Sequence, residues 1–286
     1  MNWNFWLIQT FNGVSYGALL FLVGSGLSLI FGVMRIVNLS HGSYFLLGGY
    51  VALSVIWTTG SWVLAIPVAA LTIALLGLAM ERVFLRPLGF DPLRQVLLTV
   101  GFAFLFQQAA LDIWTGNNFD INPPEALSQS IAIGGVYLPL YRVFMIATAV
   151  VIGLVIWLVM EKTRMGAAVR ATVDDAQMAR GVGIDTSRIS MMIFGLGAFL
   201  AALGGVIGGA FLGIYPGLDF EMLPLAFAVV IIGGMGSLGG AAIGALAVGL
   251  ADNFGKALFP EVSYFTLYAP MALILAVKPT GLFGRE

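Results

Sequence analysis

Long apolar runs, separated by short polar or glycine-rich breaks, organise this chain from end to end. The runs cover 5–31, 42–58, 61–84, 95–115, 141–161, 190–213, 219–235, 239–257 and 262–278. A helix of about 20 mostly apolar residues spans the hydrocarbon core of a bilayer, and most of these runs approach or exceed that length. The second and seventh are short and bordered by glycine, as a discontinuous or re-entrant helix would be. Irregular backbone survives at membrane depth only where protein buries it or a cavity solvates it. The pattern therefore predicts an all-α integral membrane protein with about eight to ten transmembrane or re-entrant helices.

Two breaks carry the best polar chemistry. One is Asn38, Leu39, Ser40, His41 and Gly42, between the first two runs; the other spans Gly233–Gly240, between the seventh and eighth. Broken helices in both halves of a chain point to a transport site built from inverted repeats, although direct similarity between the halves is too weak to establish a repeat. A polar group left unpaired in an apolar medium costs about 2–7 kcal/mol, so a solute crossing the bilayer needs temporary partners. Asn38, Ser40, His41 and Gly42, with Gly233, Gly234, Gly236 and Ser237, are the candidate substrate pathway. The structural alternative has Asn38 and His41 capping helices and Gly233–Gly240 forming a tight cytoplasmic turn. His41 is the single histidine and cannot hold a metal alone. Gly204/Gly208, Gly205/Gly209 and Gly209/Gly213 stand four apart, a spacing that lets helix backbones approach closely in lipid.

Composition sharpens the picture. Of 286 residues 60% are hydrophobic and 9% charged, against about 25% charged in soluble domains, so one membrane domain over 1–286 is expected. The net charge of −1 argues against a nucleic-acid partner, and the absence of cysteine removes disulfide and thiolate chemistry. No basic residue precedes Arg35, so the N-terminal run reads as a retained helix rather than a signal peptide. Arg82, Arg86 and Arg94, then Lys162, Arg164, Arg170, Arg180 and Arg188, then Lys278 and Arg285, mark cytoplasmic segments; 116–140 holds Asp120 and Glu125 with no Lys or Arg and is expected outside. Nine full spans would put the N-terminus outside, and one re-entrant segment would reverse it. Trp3, Trp6, Trp57, Trp62 and Trp114 fall near span ends, as interfacial anchors do. The cytoplasmic segment 162–189 suits short helices, with Asp174 and Asp175 near the start of a second one and Gly181 and Gly183 ending it. It is either a solvated loop or a docking element.

Asp112, Asp219, Glu221, Asp252 and Lys256 sit toward span ends, leaving no central acid–base pair of the kind a proton-coupled carrier uses. There is no zinc-protease motif and no Walker A loop: Ala257 follows Gly255-Lys256 where Ser or Thr is required. No cofactor and no enzyme activity are expected, and nucleotide energy has to come from another chain.

The run GLSLIFG at 26–32, with Asn38–Gly42 and Gly48–Tyr50, resembles the opening of the permeases of branched-chain amino acid ABC importers. Arg164–Arg170 with Gly181–Ile184 resembles their cytoplasmic coupling segment, and Ile232–Gly240 and Pro279–Gly284 their late glycine motif and C-terminal signature. The short form resembles the smaller permease subunit. This resemblance implies an inner-membrane importer subunit working with a second related permease, two ATPase subunits and an extracytoplasmic solute-binding protein. It implies coupling to the ATPase through Arg164, Gly166, Arg170, Asp174, Gly181 and Gly183. Gly166 is then expected to let the ATPase approach closely, and Arg170 to meet an acidic patch on it. The solute class stays open among leucine-type and other amino acids, urea or amides, and aromatic acids. The alternative is a secondary transporter or channel acting alone.

Overall fold

Residues 3–89, 91–133, 135–278 and 281–284 are described by a computed structural model; Pro279 and Thr280 of the C-terminal motif, and the basic residue Arg285, lie outside them. All nine apolar runs are helical. They form α1 (Trp3–Met34), α2 (His41–Thr59), α3 (Trp62–Met80), α4 (Pro92–Trp114), α5 (Leu140–Lys162), α8 (Thr186–Leu212), α9 (Leu218–Gly233), α10 (Leu238–Leu258) and α11 (Ser263–Val277). The segment after α5 folds into α6 (Arg164–Asp174) and α7 (Ala176–Gly181), and β1 (Ser130–Ile133) pairs antiparallel with β2 (Val136–Pro139) before α5. Side-chain oxygens cap many of the starts. Ser61, Asp91, Thr163, Asp175, Asp185 and Ser237 each accept a first-turn N–H, satisfying donors that a helix leaves unpaired.

Among the described residues six helices are long and apolar enough to cross a membrane: α1, α3 with its extension to Leu88, α4, α5, α8 and α10. The central pair α1 and α8 is buried on nearly all sides, whereas α3, α4 and α5 expose apolar residues such as Leu71, Leu97 and Leu154. Such faces suit a hydrocarbon solvent.

Glycine sets how near the central helices come. A Cβ on Gly26 would stand 2.6 Å from the Gly197 carbonyl, so α1 and α8 cross there backbone to backbone. α1 also packs on α10 and α9, while α8 packs on α3 and α2. Exchanging α1–α4 for α8–α11 maps these contacts onto one another, including α2 on α4 and α9 on α11. α1 and α8 run antiparallel, with Leu19 beside Gly208 and Ile30 beside Gly197, so the two sets of helices are inverted halves with α5–α7 between them.

This architecture changes one expectation. The counterpart of the 35–40 break is the 213–217 segment before α9. Gly233–Gly240 corresponds instead to the Gly60-Ser61 turn before α3, where Ser61 caps α3 as Ser237 caps α10.

One end of the bundle gathers the basic segments. Met34 and Arg35, Arg86, Pro92, Asp174 and Arg180 line two adjoining cavities. At the other end Asn12 of α1 accepts a hydrogen bond from Arg142 at the start of α5, and Trp57 packs edge-on to Phe119. The start of α1 therefore shares an end with 116–140, opposite the basic segments.

Candidate functional site

α2 and α9 both begin inside the bundle rather than at its surface. His41, the first residue of α2, puts Nε2 2.9 Å from the Val23 carbonyl oxygen in the interior of α1. That carbonyl can only accept, so Nε2 carries the proton. A Cβ on Gly42 would run into the carbonyl of Asp219, in the first turn of α9. Next to it Ser43 Oγ donates to Asp219 Oδ2 at 3.1 Å. Two half-helix N-termini therefore meet across a buried seam.

The approach to α2 is an Asn-centred turn. Ser40 Oγ and Ser40 N–H both donate to Asn38 Oδ1, at 2.7 and 3.1 Å, and Leu39 N–H donates to Thr99 Oγ1 of α4 at 3.2 Å. Asn38, Ser40 and His41 are fully buried, Ser43 is 1% exposed and Asp219 2%. Asn38 Nδ2, His41 Nδ1, Asp219 Oδ1 and the Tyr50 hydroxyl remain without a hydrogen-bond partner in the chain. Most buried polar atoms are paired, so these four atoms make the seam a candidate for contacts beyond packing. An ionisable residue inside a membrane bundle points the same way.

Asp219, Ser43 and Tyr50 escaped the sequence reading. Asp219 stands at a helix start, as expected, but that start lies in the protein interior. The available signal was Gly213, Pro216 and Gly217 ahead of a 16-residue helix with acids in its first turn.

The second glycine set lies elsewhere. Gly236 meets Gly32 of α1, Gly233 meets Gly240, and Gly234 meets Gly284, each so closely that a Cβ would collide with backbone. Leu282 and Phe283 N–H groups donate to the Ile232 and Gly233 carbonyls at 3.1 Å each, capping α9. The late glycine motif and the C-terminal motif thus form one packed corner. Ser237 caps α10, and its carbonyl lies 3.5 Å from Ser28 Oγ. The two breaks meet α1 at successive stretches, Val23–Gly26 and Ser28–Gly32, and are not joined into one cluster.

In 162–189, Gly166 is buried, and a Cβ there would strike the Met160 carbonyl of α5. Arg170 donates to that same carbonyl and stands 3.6 Å from the Glu161 carboxylate. Both residues clasp α6 to α5 within this chain, and the Arg170 side chain keeps 41% of its surface exposed. Asp174 ends α6, Asp175 caps α7, and Gly183 (φ 87°) closes α7 with Gly181 as its last residue. Arg164, Gly181 and Gly183 are exposed. So are Met178 and Val182, at 68% and 72%, one helical turn apart.

Residues 9–275 match the family described as the branched-chain amino acid transport system / permease component. The high-affinity branched-chain amino acid transport system permease protein LivH of Escherichia coli (strain K12) is 31% identical over 98% of this chain and 96% of its own length. BraD of Pseudomonas aeruginosa, another high-affinity branched-chain amino acid transport system permease protein, is 28% identical over the same shares. The autoinducer 2 import system permease protein LsrC of Escherichia coli O9:H4 (strain HS) is 30% identical over 63% of this chain and 54% of its own.

Proposed function

The chain belongs to the branched-chain amino acid transport permease family, and from that premise we propose that it is the transmembrane permease subunit of an ABC importer in the inner membrane. Its solute is a branched-chain amino acid or a related small polar molecule. The observation that carries this reading is the full-length family match, which covers both inverted halves and the α5–α7 insert together. A second related permease completes the translocation unit, two ATPase subunits supply the energy, and an extracytoplasmic binding protein delivers the solute.

Two regions divide the work. The seam of Asn38, Ser40, His41, Gly42 and Asp219 forms part of the solute path or its gate, because it offers unpaired polar atoms where α2 and α9 can separate. Weak contacts suit a path fed by a separate high-affinity protein. The corner at Gly233, Gly234, Gly236 and Ser237 holds α9 against α10 beside that path. On the cytoplasmic side Arg164, Asp174, Gly181 and Gly183 present the ATPase contact with Met178 and Val182 at its apolar centre, while Gly166 and Arg170 keep α6 in step with α5.

The test is to purify the chain with a related permease, ATPase subunits and a solute-binding protein from the same source and to measure ATP hydrolysis in proteoliposomes. Leucine-loaded binding protein is expected to stimulate hydrolysis and drive uptake. Uptake by this chain alone, without nucleotide, would overturn the importer reading.

A further inference from the structure

The larger of the two cavities at the basic end has a volume of about 410 Å³, inside the range of about 300–1,000 Å³ common for small-molecule sites. Its walls come from two parts of the proposed machine. The end of α1 supplies Val33, Met34 and Arg35, and the α6–α7 junction supplies Val173, Asp174 and Asp175. One wall therefore belongs to the transmembrane bundle and the other to the ATPase-coupling segment.

The lining carries charge of both signs around an apolar floor. Arg35 stands just past the end of α1 with φ 54°, its N–H donating to the Phe31 carbonyl at 2.8 Å. That left-handed cap position favours glycine or asparagine, and a long side chain there is tolerated against the backbone preference. A strained non-glycine residue beside a cavity is a reason to ask what its side chain does. Across the cavity, Asp175 spends one carboxylate oxygen on capping α7, accepting from the N–H groups of Gln177 and Met178 at 2.8 and 2.9 Å. A ligand matching this arrangement has a carboxylate for Arg35, an ammonium for the second carboxylate oxygen of Asp175, and an apolar group for Val33 and Val173. An α-amino acid has all three.

We infer that this cavity is a cytoplasmic regulatory site for a zwitterionic α-amino acid, which reports accumulated product by bridging α1 to the α6–α7 junction. The inference rests on the importer reading above. Bridging ties the bundle to the coupling segment and opposes the relative motion by which ATP hydrolysis drives transport, so filling the site slows hydrolysis.

The experiment uses the complete complex in proteoliposomes with its cytoplasmic face outward and leucine added on that face. Leucine is expected to lower ATP hydrolysis by about fivefold, the lower end of ordinary allosteric coupling. Neither 4-methylpentanoate nor 3-methylbutylamine, each lacking one charge, should do so. Arg35→Gln should raise the inhibitory concentration by about tenfold or more, the loss expected for one charged hydrogen-bond partner, with binding-protein-driven uptake at its normal rate. Asp175→Asn, which keeps an effective helix cap, should weaken inhibition as well. Unchanged hydrolysis in leucine, equal inhibition of wild type and Arg35→Gln, or inhibition by either single-charge analogue would each overturn the site. Failure of the importer reading looks different: no complex assembles with the ATPases, or binding protein does not stimulate it.

Discussion

Ser43 donates a hydroxyl to the buried carboxylate of Asp219, and that contact joins the first turn of α2 to the first turn of α9. A carboxylate shut away from water depends on such donors, and hydrogen bonds to charged groups contribute about 1.5–3 kcal/mol; in membrane bundles measured values average closer to 0.6 kcal/mol. Ser43→Ala is expected to destabilise the purified subunit by about 1–2 kcal/mol on these scales, read as a lowered unfolding midpoint in detergent. Asp219→Asn keeps an acceptor for Ser43 while removing the charge. It should therefore leave the midpoint near normal and reduce leucine uptake in the assembled complex. Normal uptake by Asp219→Asn would restrict the seam to packing.

At the scale of elements, α6 is fastened to the end of α5 by Gly166, which lets it approach the Met160 carbonyl, and by Arg170, which bonds to that carbonyl and pairs with Glu161. Enlarging residue 166 pushes α6 off its support, because the obstacle is backbone and cannot rotate aside. Gly166→Leu is expected to uncouple the complex, with ATP hydrolysis continuing and uptake falling at least about tenfold, as loss of a positioning contact typically does. Met178→Asp with Val182→Asp tests a different surface. These side chains are exposed, so the subunit should fold and insert normally yet fail to copurify with its ATPase. Retained copurification would move the docking surface off α7.

For the whole molecule, the shared ends of α1, α3, α4 and the α6–α7 segment place the basic segments 82–94 and 162–188 on one side, and the contacts of Asn12 and Trp57 place 116–140 on the other. The chain has no native cysteine, so Gln177→Cys and Ser128→Cys can be probed in intact cells with a membrane-impermeant thiol reagent. Labelling is expected at 128 alone, and labelling at 177 alone would invert the topology. The apolar helices of the described residues, their class and the separation of the basic segments from 116–140 were legible in the residues themselves, because hydropathy and loop charge act locally and need no knowledge of neighbours. The family was legible too, in short motifs spread along the chain. What each motif does was a tertiary matter. Gly233–Gly240 looked like the partner of Asn38–Gly42, yet packing against Gly32 and Gly284 made it a corner. Gly166 and Arg170 read as contacts to another chain, and the fold adds a contact of each to α5. Asp219 looked like a span-end acid, and only the inverted crossing of α1 and α8 carried that helix start into the interior beside Ser43. Depth depends on which segments fold back, and that is decided by contacts such as Ser43 with Asp219, 176 positions apart, which no local pattern encodes.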